Sequence, residues 1–310
     1  MYHSSDPRAA LAAKPVGIQS NPTRFAGAEY AKFYEMPPAE EKDGARNWYA
    51  RGQNFIIAYS EATKGAVLSR AEQPDEYVVL LPDPGAGAEI VWDNERITVT
   101  AHSITFVPAG KSSATLLGPA KIIRMMTTKS KDLVALCSNA ESYASAHPNL
   151  PAFEPWPEPT AGPKIRTYDL EVAPSPGRFG RIWRGSTFMV NFLDPKNGPR
   201  DTSKMSPHHH DDFEQCSLAL AGTFIHHMRW PWTPDMGQWR EDTHERCDSP
   251  SIAVIPPPAI HTSQAVYEGL NLLVDVFCPP RMDFSTKPGW VLNGDEYPMP
   301  PQAETNTNTN

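Results

Sequence analysis

Two stretches of this 310-residue chain carry the same succession of short apolar runs, and that repeat restricts the fold to two copies of one unit. Arg51-Gly52-Gln53-Asn54-Phe55-Ile56-Ile57 lines up with Arg184-Gly185-Ser186-Thr187-Phe188-Met189-Val190. Asp75-Glu76-Tyr77-Val78-Val79-Leu80-Leu81 lines up with Phe213-Glu214-Gln215-Cys216-Ser217-Leu218-Ala219, and Ser103-Ile104-Thr105-Phe106-Val107 with Ser251-Ile252-Ala253-Val254-Ile255. Runs at 54–59, 76–81, 89–92, 96–100, 103–107 and 121–127 are rich in Val, Ile, Phe or Tyr and bounded by turn residues. They read as strands. A second set follows at 186–194, 214–220, 223–229, 251–255, 262–266 and 270–277. With 33 Pro and 19 Gly, helices should be few and short. One helix is expected over residues 131–146. The fold class is all-β, two barrels in one chain.

Function concentrates in the second copy. His208 and His210, two apart on an extended chain, point to the same side. Glu214 leads the next apolar strand, and His261 follows the turn Pro256-Pro257-Pro258. Three imidazoles and one carboxylate at a point suit a divalent transition metal. The bend at Asp211-Asp212 keeps His209 open as a substitute for one of the pair. Four protein ligands on an ion that prefers six leave two positions for substrate and dioxygen or water. Iron(II) is favoured; manganese, nickel and zinc also fit.

These residues resemble the cupin superfamily. Its first motif appears as His208-x-His210, then Glu214, then Gly222, with seven residues before the glycine where six is usual. Its second appears as Pro256-x-Pro258-x-x-His261, with proline in the glycine slot. The duplication makes the chain similar to a bicupin of two double-stranded β-helix, jelly-roll-like barrels. In the first copy the histidine slots hold Arg70, Glu72 and Ser113, so the resemblance implies a degenerate, metal-free half. The implied organisation is an arm at 1–24, a degenerate domain at 25–150, a Pro-rich linker at 151–172, a metal-binding domain at 173–290 and a polar tail at 291–310. Metal-dependent dioxygenases acting on aromatic or diketone-like molecules are the first functional expectation. An isomerase or lyase acting on a sugar or uronate is the alternative, and a non-catalytic metal-containing binding protein the third. An HxD…H triad of the 2-oxoglutarate oxygenase kind, from His209-x-Asp211 or His210-x-Asp212 with His261, is a further reading.

Catalytic candidates beside the metal are His227 and Gln264, with His226 as another side chain that could face the interior. Trp230, Trp232 and Trp239 could rim a pocket. The net charge of −8 and the absence of any Lys/Arg run argue against nucleic acid. No apolar run approaches the ~20 residues of a membrane span. Residues 1–21 lack the apolar segment of a signal peptide. Cys137, Cys216, Cys247 and Cys278 are scattered, with no CxxC pair, and read as reduced structural thiols. The expectation is a cytoplasmic protein with a small-molecule substrate, homodimeric through exposed strands and the arm.

Overall fold

The computed structural model describes residues 24–301. The expected arm (Arg24 aside) and the Thr-Asn repeats at the end of the chain lie outside them. Strands dominate, and the α-helices among the described residues are two single turns, Lys131–Val134 and Met282–Ser285. The helix expected over 131–146 stops early and resumes only as a 3-10 turn at Ala140–Tyr143.

Each half pairs a large sheet with a small one. In the first, strands Ser103–Val107, Tyr77–Leu81, Ala120–Thr127, Phe55–Ala62 and Ala45–Arg51 lie side by side. They face a four-stranded sheet of Val67–Gln73, Gly110–Leu116, Ala88–Trp92 and Glu95–Val99. In the second, Ser251–Ile255, Gln215–Ala221, Leu270–Phe277, Met189–Phe192 and Arg181–Arg184 repeat that order. The facing sheet is Thr243–Asp248, Thr223–Arg229 and Ile260–Ala265. The halves exchange edges. Glu29–Lys32, from before the first barrel, pairs with Ser251–Ile255 of the second. Arg166–Asp169, from the stretch expected to be linker, pairs with Ser103–Val107 of the first.

Alternation decides what each face does. Ile57, Tyr59, Val78, Ile104 and Met125 of the first large sheet share one apolar core with Val190, Phe192, Cys216, Leu218 and Val276 of the second. The two large sheets therefore pack back to back, and this joint holds the barrels together. The opposite face of the first large sheet is also apolar: Tyr49, Ile56, Tyr77, Val79 and Met126 meet Leu68, Ile90 and Leu116 of the small sheet and fill that barrel. The second barrel is different. Its inner row reads Asn191, Asp275 and Ser217 across three paired strands, all three buried. Two apolar groups flank that row, one of Ala219, Phe224 and Leu273 and one of Ile182, Met189, Phe277, Phe284 and Trp290. The polar interior leaves a cavity of about 530 Å³.

Residues 291–297 are not the free polar tail expected. Leu292 donates its N–H to the Ile182 carbonyl, and Tyr297 is fully buried.

Candidate metal centre

His208 and His261 come from different motifs and meet through a two-way backbone bridge. His208 N–H donates to the His261 carbonyl at 3.1 Å, and His261 N–H donates back at 2.7 Å. That bridge sets the two rings 4.3 Å apart, centroid to centroid. His210 completes the group, 5.1 Å from His208 and 5.2 Å from His261. One nitrogen from each ring lies within 4.8 Å of the others; this is the one such group of His, Cys, Asp or Glu found among the described residues. Backbone carbonyls orient two of the rings. His208 Nδ1 lies 2.8 Å from the Ser206 oxygen and His261 Nδ1 2.9 Å from that of Ala259. A carbonyl only accepts, so both Nδ1 atoms carry hydrogen and both Nε2 lone pairs are left for a ligand. Burial, helped by the positive charge of Arg281, holds the His210 pKa well below the usual imidazole value. Its ring stacks on Phe213 at 4.3 Å. Neutral imidazole is the form that binds a metal. His209 faces solvent, 3.5 Å from Asp211, and takes no part.

Glu214, the expected fourth ligand, is not brought to this group. It shares parity with Cys216 and Leu218, so it points out of the barrel into the joint. There its Oε2 accepts from the Gln53 N–H at 2.7 Å, and its Oε1 accepts from the Tyr143 hydroxyl at 3.0 Å. Gln215, one residue on, faces inward instead. Its Oε1 stands 3.0 Å from His210 Nε2 and 3.4 Å from His261 Nε2. The amide orientation follows from its other end, where Nε2 donates to Ser217 Oγ and Asp275 Oδ1, both at 3.1 Å. Asp275 can only accept there, so the oxygen of Gln215 must face the imidazoles. Three nitrogens and one amide oxygen fit a borderline divalent ion. The cavity opens beside them: His208, His261, Gln215 and Asp275 form its floor, and Leu193, Phe224, Ala265 and Leu273 its apolar wall.

A spacing signal for Gln215 was present in the sequence. Six residues separate it from Gly222, against seven from Glu214.

The catalytic candidates His227 and Gln264 do not reach the cavity. They bond to each other, His227 Nε2 to Gln264 Oε1 at 3.0 Å. His227 Nδ1 also meets His244 at 2.7 Å, on the face of the small sheet away from His226 and His261. His226 does turn inward, buried, with Nδ1 2.9 Å from Ser263 Oγ and Nε2 without a partner. Burial lowers its pKa to about 3. Trp230 is buried, while Trp232 and Trp239 stack on each other at 4.7 Å; none of the three lines the cavity.

The first barrel has no counterpart to the imidazoles. Arg70 pairs across strands with Ser112, as His208 does with His261, and is held by Asp132 at 2.5 and 3.0 Å. Tyr77 takes the place of Gln215 and shares a 3.0 Å hydrogen bond with Ser112. Glu72 is exposed. Glu76 does what Glu214 does: it accepts from the Ser186 N–H at 2.8 Å and from the Tyr297 hydroxyl at 2.9 Å. The two carboxylates are thus reciprocal latches, each holding the Arg-Gly turn and a trailing tyrosine of the other barrel. Burial and the adjoining carboxylates push both tyrosine pKa values up.

No protein-family model matches this sequence, and no curated protein matches it. Solved structures do. The oxalate decarboxylase of Lactobacillus farciminis, as its formate complex, superposes with a TM-score of 0.54 at 13% identity, covering 86% of this chain and 88% of that one. A further oxalate decarboxylase, studied for proton-coupled electron transfer, gives 0.53 at 14%, covering 85% and 78%. AerE from Microcystis aeruginosa gives 0.51 at 11%, covering 83% of this chain and all of that one. At such identities the likeness shows the fold, an all-β cupin fold, and nothing finer. No helix among the described residues is long and apolar enough to cross a membrane.

Proposed function

We propose that this chain is a metal-dependent enzyme whose second barrel, within residues 173–290, is catalytic and whose first, within 25–150, is a scaffold. The observation that carries the reading is the convergence of His208, His210 and His261 within 4.8 Å of one another, with His208 and His261 on the floor of the cavity. In this reading those three side chains hold one divalent ion, with Gln215 rather than Glu214 as the fourth donor. Iron(II) is our first choice, with manganese(II), nickel(II) and zinc(II) as alternatives. Such an ion supplies Lewis acidity and open positions for substrate and dioxygen. The protein's own part is to orient. Carbonyls of Ser206 and Ala259 aim two rings, Asp275 aims the amide, and the apolar wall excludes water from one side of the substrate. Oxidative cleavage of a small aromatic or diketone-like molecule is the reaction class we favour.

A lyase or isomerase is the second reading. The fold likeness to oxalate decarboxylases favours it, together with Asp275, a buried carboxyl group on the cavity floor able to take part in proton transfer. Assembly as a homodimer is part of the proposal and is checked by light scattering on the eluted protein.

The test is reconstitution of metal-free protein with iron(II), manganese(II), nickel(II) or zinc(II), metal analysis, and oxygen uptake with catechol, gentisate and diketones. His261→Ala should lose most bound metal and turnover while keeping the fold by circular dichroism, and Ser113→Ala should lose neither. Full metal occupancy in His261→Ala removes that residue from the site. Metal bound without oxygen uptake, together with carbon dioxide release or isomerisation of a test acid, moves the assignment to the second reading.

A further inference from the structure

We propose that the outer face of the second barrel carries a separate metal site, in which His227 and His244 chelate copper(II) or nickel(II) through their Nδ1 atoms. The pair shares no ligand with the buried centre and lies outside its cavity. His227 and His244 stand directly opposite each other on neighbouring antiparallel strands, with ring centroids 4.9 Å apart. The sheet backbone, not a mobile loop, therefore sets their spacing. Their Nδ1 atoms are 2.7 Å apart. Two nitrogens bound at about 2.0–2.1 Å and at right angles to one ion stand about 2.9 Å apart; at the tetrahedral angle they stand about 3.3 Å apart. The observed spacing matches the right-angled pair, and right angles between nitrogen ligands suit tetragonal copper(II) and nickel(II).

Gln264 fixes the hydrogens. Its Oε1 lies 3.0 Å from His227 Nε2. An amide oxygen only accepts, so Nε2 carries the hydrogen and Nδ1 keeps the lone pair. A metal-ligating histidine is held in the same way, its second nitrogen donating to a fixed oxygen. His244 Nδ1 then supplies the one hydrogen between the rings, and that hydrogen occupies the place an ion would take. His244 is exposed. Through water its hydrogen moves to Nε2, which frees both Nδ1 lone pairs, and the exchange releases no proton. The charged neighbours on this face are already engaged. Asp242, two residues before His244, is gripped by Arg229 at 2.5 and 3.0 Å, and Arg246, two residues after, lies 3.7 Å from Asp248. The two imidazoles are thus the protein's ligands, and water fills the other positions.

The experiment titrates the full, metal-stripped chain with copper(II), buffered by glycine so that single-histidine sites stay empty. It is run on wild type and on His261→Ala, which weakens the buried centre, and is read by electron paramagnetic resonance. Both proteins should show a tetragonal copper signal coupled to two imidazole nitrogens. Adding His244→Ala or His227→Gln to either should abolish that signal and lower uptake by one copper. Gln264→Leu should weaken this copper by a factor on the order of 10–100, while Gln264→Glu, which still accepts from His227, should hold it. Uptake and signal unchanged by His244→Ala and by His227→Gln overturn the outer site and leave a hydrogen-bonded pair of rings. Equal affinity in Gln264→Leu and wild type overturns the part given to Gln264. If His261→Ala leaves total uptake unchanged while His244→Ala removes one copper, the buried centre falls and the outer site stands.

Discussion

Glu214 and Gln215 are adjacent in the chain and serve opposite faces of one strand, so each can be removed without touching the other's task. Glu214→Gln should leave metal content unchanged and lower stability by about 1–3 kcal/mol, the usual cost of unpairing buried hydrogen-bonded groups. Gln215→Leu should lower metal affinity by a factor on the order of 10–100, and should also lower stability by about 1–3 kcal/mol because Ser217 and Asp275 lose a buried donor. Equilibrium unfolding and metal titration of the two variants check this pair. The imidazoles were legible in the sequence because their spacing on extended chain is itself a geometric statement. Gln215, the fourth donor in our proposal, was not, because a carboxylate is the more familiar ligand and a one-residue step flips the face. The spacing to Gly222 pointed to Gln215. His226 contributes to the pH response alongside His210, whose pKa burial also lowers. The His226 pKa is about 3 in the fold, against 6.5 for free imidazole. Between those values the unfolded chain binds a proton that the folded chain refuses. Stability therefore falls as pH is lowered from 6.5 toward 3, by up to about 1.4 kcal/mol per pH unit. His226→Leu should flatten that slope in urea midpoints measured at pH 7 and pH 5.

At the scale of elements, the Arg-Gly turns show why the repeat survives in the sequence. A Cβ on Gly52 would sit 2.6 Å from Glu214 Oε2, and one on Gly185 would sit 2.5 Å from Glu76 Oε1. Both turns need a residue without a side chain so that the carboxylate can reach the backbone N–H beyond. Gly52→Ala and Gly185→Ala should each destabilise by about 1–3 kcal/mol, as overpacking does, with metal content retained; thermal unfolding checks it. A second repeat accompanies the turns. Asn139-x-x-x-Tyr143 and Asn293-x-x-x-Tyr297 have the same spacing and the same work. Each asparagine clasps the backbone of one arginine, Arg51 or Arg184, through both ends of its amide. Each tyrosine then holds a latch carboxylate. This explains why the helix expected over 131–146 is cut short: Asn139 is occupied with Arg51 and not with a helical turn. It also explains why residues 291–297, polar in composition, are pinned down. Hydrophobic periodicity carries no trace of such contacts.

On the scale of the whole molecule, the two barrels share topology and differ in what fills them. The first is packed with apolar side chains; the second is lined with polar ones around an open volume. Strand order was readable from the repeat, since turn residues and apolar runs recur in register. The exchange of edges was not, because an edge strand is too short to announce its partner. The large sheets bury Ile57, Tyr59, Val78, Val190, Leu218 and Val276 against one another, and neither barrel can cover that face alone. Residues 1–150 and 151–310 produced separately should be poorly soluble and bind a hydrophobic dye, and co-expression should recover a soluble pair; soluble, dye-silent halves would refute the shared core. The swapped edges also set an order of assembly during synthesis. Glu29–Lys32 is made well before its partner Ser251–Ile255. It must wait, unpaired, through the synthesis of the whole first barrel and most of the second, so the second barrel is closed by a strand older than any of its own.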